Sequence, residues 1–381
     1  MKISMDKAIL LAAVMPAAGF SSSKSTIAST EGILFRTVGN NTCELSAYDL
    51  EKGMKTFVPC VIEEEGGGII NCTRFIQIVR TMPEGLLTIE IDTRSFRAKI
   101  SGGKAEFELQ ALDGKDFPDL PELRGDRGFA IRQSALRNIL QKTQFAIAVN
   151  SVRPELNGLN LKVQNGVLTA VACDGSRLAL ISKQENLQNV GIAELSFDLI
   201  IPGKAIAELL RFVNDSDEEM KIHVARKHII FFIGNFILFT RLIDAQYVDY
   251  ERFIPKTPKI FVKVHTDEFT SALERAMLVT EEKQQGQVKS PVICVFEEDA
   301  LTVSSSSITG RVNDVMPTEQ EGDAIEIGFN CRFLYDAMKV CDCEQVKLSM
   351  TSPLMGMTIE PVSNEDSERF LLLVLPVRLN K

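Results

Sequence analysis

Glycine-rich stretches and a run of acids are the first places in this sequence to look for chemistry. Glu65-Gly66-Gly67-Gly68 and Ser101-Gly102-Gly103-Lys104 do not have the spacing of a phosphate-binding loop, which requires Gly-x-x-x-x-Gly-Lys followed by Ser or Thr. Both are typical of turns between strands. The acids Glu63-Glu64-Glu65 precede one of these turns and are typical of a solvated loop. We therefore expect no nucleotide hydrolysis by this chain.

Few residues in this sequence could ligate a metal or serve as the base of a nucleophilic site, because the 381 residues include only three histidines. His223 and His228 are five residues apart on strand-like sequence, so they point to opposite faces. Cys341 and Cys343 form a lone Cys-x-Cys pair without a second pair nearby. There is no Gly-x-Ser-x-Gly elbow. The sequence predicts no metal, no cofactor and no catalytic residues.

The eight cysteines are scattered and too few for a disulfide scaffold, so we expect reduced thiols and a cytoplasmic location. No stretch approaches 18 uncharged apolar residues, which excludes a membrane-spanning helix and predicts no membrane partner. The composition, with 45% apolar and 24% charged residues, is ordinary for globular proteins. The length allows two to four domains.

Elements of similar type recur three times along the chain, with starts about 130 residues apart. A first helix is predicted at Met5–Met15, Arg132–Ala148 and Thr266–Val279 from apolar residues at helical spacing. A second helix is predicted at Cys72–Met82, Pro202–Val213 and Asn330–Val340. The sequence therefore predicts two helices in every repeat.

Strand pairs with alternating apolar residues lie between the two helices of each repeat: Gly32–Ser46, Leu156–Ala172 and Pro291–Ser304. Proline-containing linkers at Asp116–Pro121 and Ile254–Pro258 separate the repeats. We predict an α+β fold of three repeated domains, residues 1–126, 127–254 and 255–381, each with two helices packed on antiparallel sheet.

Charge is distributed unevenly over these elements, although the whole chain carries −9. The six predicted helices contain eleven Lys or Arg and six Asp or Glu, a net charge of about +5, which leaves about −14 elsewhere. This is compatible with ordinary solvated helix faces. It also fits a helical surface that faces a polyanion while the rest of the molecule repels it.

Several local strings, in order along the chain, resemble the bacterial β sliding clamp, the processivity subunit of DNA polymerase III holoenzyme. The resemblance runs from Met1 to Leu379. The strings that carry it are Asp116-Phe117-Pro118-Asp119-Leu120, Thr143-Gln144-Phe145-Ala146, Val152-Arg153, Leu156-Asn157-Gly158, Asp174-Gly175-Ser176-Arg177-Leu178-Ala179, Glu326-Ile327-Gly328-Phe329-Asn330 and Leu375-Pro376-Val377-Arg378-Leu379.

This resemblance implies three DNA-clamp domains in each chain and a head-to-tail homodimer that forms a ring around double-stranded DNA. The helices would line the hole and contact DNA without regard to sequence. The residues that the resemblance places at the hole are Lys24, Arg74, Arg80, Arg137, Lys142, Asn150 and Lys204.

The resemblance also implies a hydrophobic pocket between domains two and three that receives short partner peptides rich in Gln, Leu and Phe. Departures from the family pattern are Cys173, Ser176 and Val248, where Thr, His and Pro are frequent. The implied lining is Arg153, Leu156, Cys173, Gly175, Ser176, Arg177, Leu178, Val248, Phe253, Asn330, Phe333, Leu354, Gly356, Leu375, Pro376, Val377, Arg378 and Leu379.

For the dimer interface, the resemblance implies Phe107 and Leu109 on an edge strand of the first repeat. Leu278 and Val279, at the end of the third repeat's first helix, match the opposing surface. An edge strand with alternate apolar residues invites pairing with another chain.

The function implied is that of a non-catalytic processivity factor. Its partners would be duplex DNA, the replicative DNA polymerase catalytic subunit, a clamp-loader ATPase, and replication and repair proteins with clamp-binding peptides. Two alternatives remain open at this point. One is a cytosolic enzyme that uses Asp174 with Arg177, and the other is a scaffold with the same fold but no role at DNA.

Overall fold

Each repeat begins with a strand that runs directly into a helix. The computed structural model describes residues 1–92, 94–123, 125–280, 290–308, 310–363 and 368–379, and within these ranges there are six α-helices and 28 strands. The first repeat contains β1 (Lys2–Asp6), α1 (Lys7–Val14), β2 (Gly32–Val38), β3 (Thr42–Tyr48), β4 (Lys52–Pro59), β5 (Val61–Glu64), β6 (Gly67–Asn71), α2 (Cys72–Thr81), β7 (Leu86–Asp92), β8 (Arg97–Gly102) and β9 (Ala105–Asp113).

The second and third repeats follow the same order, which confirms the predicted pattern of two helices and antiparallel strands. The second contains β10 (Arg127–Arg132), α3 (Gln133–Thr143), β11 (Gly158–Gln164), β12 (Val167–Cys173), β13 (Arg177–Gln184), β14 (Gln188–Asn189), β15 (Phe197–Pro202), α4 (Gly203–Leu209), β16 (Glu219–Val224), β17 (His228–Ile233) and β18 (Phe236–Arg241). The third contains β19 (Ile260–His265), α5 (Thr266–Thr280), β20 (Val292–Glu297), β21 (Ala300–Ser306), β22 (Arg311–Pro317), β23 (Glu319–Glu321), β24 (Ile325–Phe329), α6 (Cys331–Lys339), β25 (Gln345–Met350), β26 (Met357–Pro361), β27 (Glu368–Val374) and β28 (Pro376–Val377).

The predicted helix bounds were wrong at several ends. Asp6 has an extended backbone, and its side chain accepts hydrogen bonds from the backbone N–H groups of Ala8 and Ile9, so α1 begins only at Lys7. Arg132 is the last residue of β10, and Arg211 follows the end of α4. Two of the eleven cations assigned to helices therefore lie outside them.

The chain divides into two compact units, and the middle repeat contributes to both. The first unit comprises residues 1–133, 187–194 and 211–242, and the second comprises residues 134–186, 195–210 and 243–381. In the first unit, β4 of repeat one pairs with β18 of repeat two inside a 14-stranded sheet. In the second unit, β13 of repeat two pairs with β27 of repeat three inside a nine-stranded sheet, and a five-stranded sheet holds β20 to β22, β24 and β28.

An apolar cluster lies at each of these two antiparallel pairings, which we name the β4–β18 joint and the β13–β27 joint. At the β4–β18 joint, Tyr48, Ile230 and Phe239 pack with Phe117 of the first linker. At the β13–β27 joint, the buried residues are Leu156, Val171, Cys173, Leu178, Leu180, Leu371 and Leu373. Phe117 of the first linker and the half-buried Ile254 of the second linker thus each cover one joint and bury apolar area. None of the helices in the described ranges is long and apolar enough to cross a membrane.

Candidate functional site

The turn between β12 and β13 is held by its own aspartate. Asp174 Oδ1 accepts hydrogen bonds from the backbone N–H groups of Ser176, at 2.8 Å, and Arg177, at 3.0 Å. The Asp174 N–H donates to the Arg177 carbonyl at 3.2 Å. Gly175 has φ of +91°, a conformation that glycine adopts without strain. The turn is therefore specified by its sequence, Asp-Gly-Ser-Arg.

The Arg177 side chain joins this turn to helix α6. Its Nε donates to Asp174 Oδ2 at 3.0 Å, and its Nη1 donates to Asp336 Oδ2 at 2.8 Å. The guanidinium carbon lies 4.4 Å from the centre of the Phe333 ring and 5.3 Å from that of Phe145. Arg177 is only 12% exposed. It binds within the protein and does not extend as a free polar ligand, and the Asp174–Arg177 pair is occupied in fixing a turn.

The floor beside this turn is apolar and buried. Leu156, Cys173 and Leu178 are buried in the cluster at the β13–β27 joint, with Val248 half-buried against them. These four predicted pocket residues therefore lie together. Burial raises the pKa of the Cys173 thiol, so it is protonated at neutral pH. Its sulfur accepts from the Gly175 N–H at 3.4 Å.

The C-terminal segment packs next to the same turn. The Leu375 N–H donates to the Ser176 carbonyl at 2.8 Å, and Pro376 and Val377 form β28, which pairs with β24. Gly356 leaves room for Leu375, since a Cβ at Gly356 would lie 3.0 Å from Leu375 Cδ2. Leu379 packs over Gly328 of β24 in the same way.

The remaining predicted pocket residues differ in what their side chains do. Phe253 and Leu354 are exposed at 53% and 74%, large values for apolar side chains. Arg153 is exposed and pairs with Glu155 at 3.0 Å, and Arg378 is exposed. Asn330 caps α6, its Oδ1 accepting from the Arg332 and Phe333 N–H groups. The Asn330 side-chain oxygen is therefore occupied in capping helix α6.

Sequence reasoning missed three residues at this site: Phe145, Asp336 and Tyr247. Phe145 lies in a string quoted for the resemblance, and Asp336 lies three residues after Phe333 on the same helix, so helical spacing was the available signal. Tyr247 packs against the apolar cluster, where burial raises its pKa far above the ordinary value.

The basic residues assigned to DNA are distributed over both units. Arg74 and Lys204 are exposed on α2 and α4, and Lys24 is exposed in the loop after α1. Arg80 is exposed on α2 and contacts the sulfur of Met15. Arg137, on α3, donates to the Leu210 carbonyl at 3.3 Å. Five of the seven assigned residues are thus cations with some access to solvent.

Lys142 and Asn150 behave differently from that group. Lys142 is buried, with its ammonium 3.1 Å from Asp342 and 3.6 Å from Glu368, and it lies 4.8 Å from the centre of the Phe370 ring. Its charge is therefore matched inside the second unit, which argues against the predicted phosphate contact. Asn150 is exposed, with φ of +56° in a loop, and Asn tolerates this left-handed conformation.

The four residues assigned to the dimer interface lie on one edge strand and one helix. Phe107 and Leu109 lie on β9, where residues 105–110 pair with β8, while pairing with β6 covers only residues 111–113. Phe107 is 39% exposed. Leu278 is 76% exposed on α5, and Val279 beside it is half-buried.

Comparison with known proteins gives the chain its family. Models of the N-terminal, central and C-terminal domains of the DNA polymerase III beta subunit match residues 1–121, 130–249 and 251–377. A beta sliding clamp from Halalkalibacterium halodurans is 30% identical over 372 residues, which cover 94% of each chain. The chain belongs to the β sliding clamp family. The predicted family and the predicted class of three clamp domains are both confirmed.

Other clamps agree over the full length. The beta sliding clamp of Bacillus subtilis is 29% identical over 99% of this chain and 100% of its own, and that of Escherichia coli K12 is 27% identical over both whole chains. A crystal structure of the Bacillus subtilis DNA polymerase sliding clamp covers both chains completely with a TM-score of 0.91 at 27% identity. As a clamp of the DNA polymerase III β-subunit type, the protein is a non-catalytic processivity factor.

Proposed function

We propose that two copies of this chain close head to tail into a ring around duplex DNA and tether the replicative DNA polymerase catalytic subunit and other replication and repair proteins. A clamp-loader ATPase opens the ring, and the protein acts in the cytoplasm, in keeping with its eight free cysteines. We propose residues 1–126, 127–254 and 255–381 as the three domains. The observation that carries the ring is a pair of complementary open strand edges.

These edges, which have no partner on their outer side among the described residues, are residues 105–110 of β9 and β22, one of the two outermost strands of the five-stranded sheet. The two internal joints show how such edges combine, because β4 pairs with β18 and β13 pairs with β27, both antiparallel. By the threefold repeat, β9 corresponds to β18 and β27, and β22 corresponds to β4 and β13. The third joint is therefore supplied by β9 of one copy and β22 of another.

The repeat also predicts the register of this third joint. Ala105 of β9 pairs with Gly102 in the β8–β9 hairpin, and Phe236 of β18 pairs with Ile233 in the β17–β18 hairpin. Aligning the two hairpins on these pairs makes Glu108 equivalent to Phe239. Arg311 of β22 pairs with Ser306 of β21, and Gly53 of β4 pairs with Tyr48 of β3. Arg311 is therefore equivalent to Gly53. Since Phe239 pairs with Gly53, Glu108 is expected opposite Arg311 of the second copy.

This register supports the predicted dimer residues. It places Phe107 opposite Val312 of the second copy, next to α5, which is tied to β22 by the Arg275–Asp314 ion pair at 2.9 Å. Leu278 and Val279 follow on the same helix. Apolar cross-strand contacts would thus lie on one face of the pairing, and the Glu108–Arg311 charge pair on the other.

Charge exchange tests this register. Glu108→Arg alone and Arg311→Glu alone place like charges opposite each other, so each should weaken the dimer, measured by analytical ultracentrifugation. The double variant should restore it, while Glu90→Arg, exposed on β7 two strands away from β9, should leave dimerisation unchanged. Because Glu108 also pairs with Arg97 of β8 at 2.6 Å, all these variants are made in an Arg97→Ala background, and failure of the double variant to restore association there contradicts the register.

For DNA, the proposal assigns Lys24, Arg74, Arg80, Arg137, Asn150 and Lys204 to the hole, supported by their positions on helices and adjoining loops. The protein should be loaded with a clamp loader and ATP on nicked circular DNA, and should be lost when the circle is linearised. Equal binding to both forms contradicts topological binding. Arg74→Ala with Lys204→Ala should lower the salt dependence of residual DNA contact by about two units of slope, whereas Lys256→Ala, an exposed cation in the second linker, should not.

For partner peptides, the proposal assigns the surface around the Asp174–Arg177 turn and the C-terminal segment. Support comes from the buried floor at Leu156 and Leu178, the exposed Phe253 and Leu354, and the contact of Leu375 with the turn. Apolar walls of this kind bury Leu and Phe anchors. Truncation after Leu375 should abolish polymerase stimulation and leave the dimer intact. Stimulation that survives the truncation places the peptide site elsewhere.

A further inference from the structure

Asp336 of helix α6 connects two parts of the proposed peptide pocket. We propose that it is a positioning residue, which acts through Arg177 to hold the Asp174–Arg177 turn in the conformation that receives the C-terminal segment and the partner peptide. This inference rests on the peptide pocket of the proposed function.

The carboxylate of Asp336 is shared between two arginines. Its Oδ2 accepts from Arg177 Nη1 at 2.8 Å, and its Oδ1 lies 2.9 Å from Arg332 Nε. Arg332 is 51% exposed, whereas Asp336 and Arg177 are 17% and 12% exposed. The pair with Arg177 is therefore the shielded one, and solvent screens the pair with Arg332 more strongly.

Arg177 carries the constraint from α6 to the turn. Its Nε binds Asp174, whose other oxygen accepts the two N–H groups that shape the turn. With both carboxylates in place, the guanidinium is fixed over the Phe333 ring. A planar guanidinium with several donors suits this double role, because each bond restricts the orientation of the next.

The turn then positions the C-terminal segment. The Ser176 carbonyl accepts from the Leu375 N–H at 2.8 Å, and the Leu375 side chain reaches to within 3.0 Å of the point where a Cβ at Gly356 would lie. Displacement of the turn would shift Ser176, and with it Leu375. Asp336 would thus affect peptide binding without itself touching the peptide.

Peptide affinity of single variants tests this role in the full-length protein. The probe is a fluorescein-labelled peptide Gln-Leu-Ala-Leu-Phe, and its dissociation constant is measured by fluorescence polarisation. Asp336→Asn keeps the side-chain volume and removes the charge, and it should weaken binding roughly tenfold. Asp336→Glu keeps the charge and should retain most of the wild-type peptide affinity. Glu319→Gln is the matched control, because it breaks the Lys263 pair elsewhere in domain three, and it should leave affinity unchanged.

Two further measurements separate positioning from simple stability. Arg332→Ala should leave affinity unchanged, since it spares the Arg177–Asp336 bond. Leu375→Ala should cost less affinity in the Asp336→Asn background than in the wild type, because the two residues act along one path. Thermal unfolding of all variants shows whether the folded state is retained, and Asp336→Glu provides the test if Asp336→Asn does not fold.

The outcomes are distinct. Wild-type affinity in Asp336→Asn, equal losses in Asp336→Asn and Glu319→Gln, or additive effects with Leu375→Ala would each overturn the positioning role while the pocket stands. If the wild-type protein does not bind the peptide, the proposed pocket is wrong, and the positioning role is wrong with it.

Discussion

The β4–β18 and β13–β27 joints share one pattern of hydrogen bonds to the backbone of a turn, but the side chains around the two turns differ. At the first, Asp49 Oδ1 accepts from the N–H groups of Glu51 and Lys52 at 3.0 and 2.8 Å, and the Arg241 N–H donates to the Glu51 carbonyl at 2.8 Å. At the second, Asp174, Ser176, Arg177 and Leu375 make the corresponding bonds.

The differences lie in what fills and anchors each turn. Leu50 has φ of +76° and is 43% exposed, at the position where the second turn has Gly175. Lys52 binds Asp49, donates to the Gly19 carbonyl and lies 5.5 Å from the Phe20 ring centre. A Cβ at Gly175 would meet nothing within 4 Å. The first turn therefore places a side chain at the position that the second turn leaves empty.

The chain that leaves each joint also differs. After Arg241 the backbone continues into the second linker, whereas after Leu375 it forms β28, which pairs with β24. Under the proposed function, one joint is a link between domains only, and the other also carries the surface for partner peptides. The following substitutions test how far this contrast extends.

The largest contrast should come from the two cations. Arg177→Ala leaves the shielded Asp174 and Asp336 without this partner and should destabilise the protein by about 3–5 kcal/mol, the cost of breaking a buried pair. Lys52→Ala removes one carboxylate partner and should cost about 1–3 kcal/mol. Urea unfolding curves of both variants check this, and equal losses would show that the joints are anchored alike.

A second contrast concerns the residue that follows each cation. Leu178→Ala empties buried volume and should cost about 2–5 kcal/mol. At the corresponding Gly53, a Cβ would lie 2.3 Å from Phe239 Cζ, so Gly53→Ala should cost about 1–3 kcal/mol by overpacking. Thermal unfolding measures both. A neutral Gly53→Ala would show that the Phe239 ring moves freely, against the tight packing described here.

The smallest contrast is within the turns. Leu50→Gly should stabilise the protein by about 1 kcal/mol, because it relieves a left-handed backbone conformation in a residue with a branched side chain. Gly175→Ala should destabilise it by about 1 kcal/mol for the same reason, with no steric clash. Calorimetric unfolding temperatures check the opposite signs, and a shift of both in one direction would contradict the account of these turns.

Much of the fold was predictable from the sequence because helical and strand periodicities recur three times. The hairpin at Asn165-Gly166 shows why: both residues have positive φ, the conformation that a two-residue Asn-Gly hairpin turn requires. Strands β1, β10 and β19 were missed, since a short strand that runs directly into a helix shares one apolar pattern with it.

The side chains of the site were less predictable. Lys142 and Arg177 are residue types that commonly bind anionic ligands. Their charges are instead paired by carboxylates 159 to 226 positions away in the sequence, those of Asp342, Glu368 and Asp336. Such pairs depend on how β13 meets β27, which local spacing does not reveal. The role of Asn330 as a helix cap, in contrast, follows from its residue type and its position immediately before α6.

The long-range pairing of β4 with β18 has a consequence for synthesis. Thr56 hydrogen-bonds to the Asn235 carbonyl, 179 residues further along the chain. At roughly 5–20 residues per second, a ribosome needs on the order of 10–40 s to make the intervening segment. During that time the apolar edge of β4 is without its partner strand and vulnerable to aggregation, so chaperone protection of the nascent first domain should matter more than that of the third.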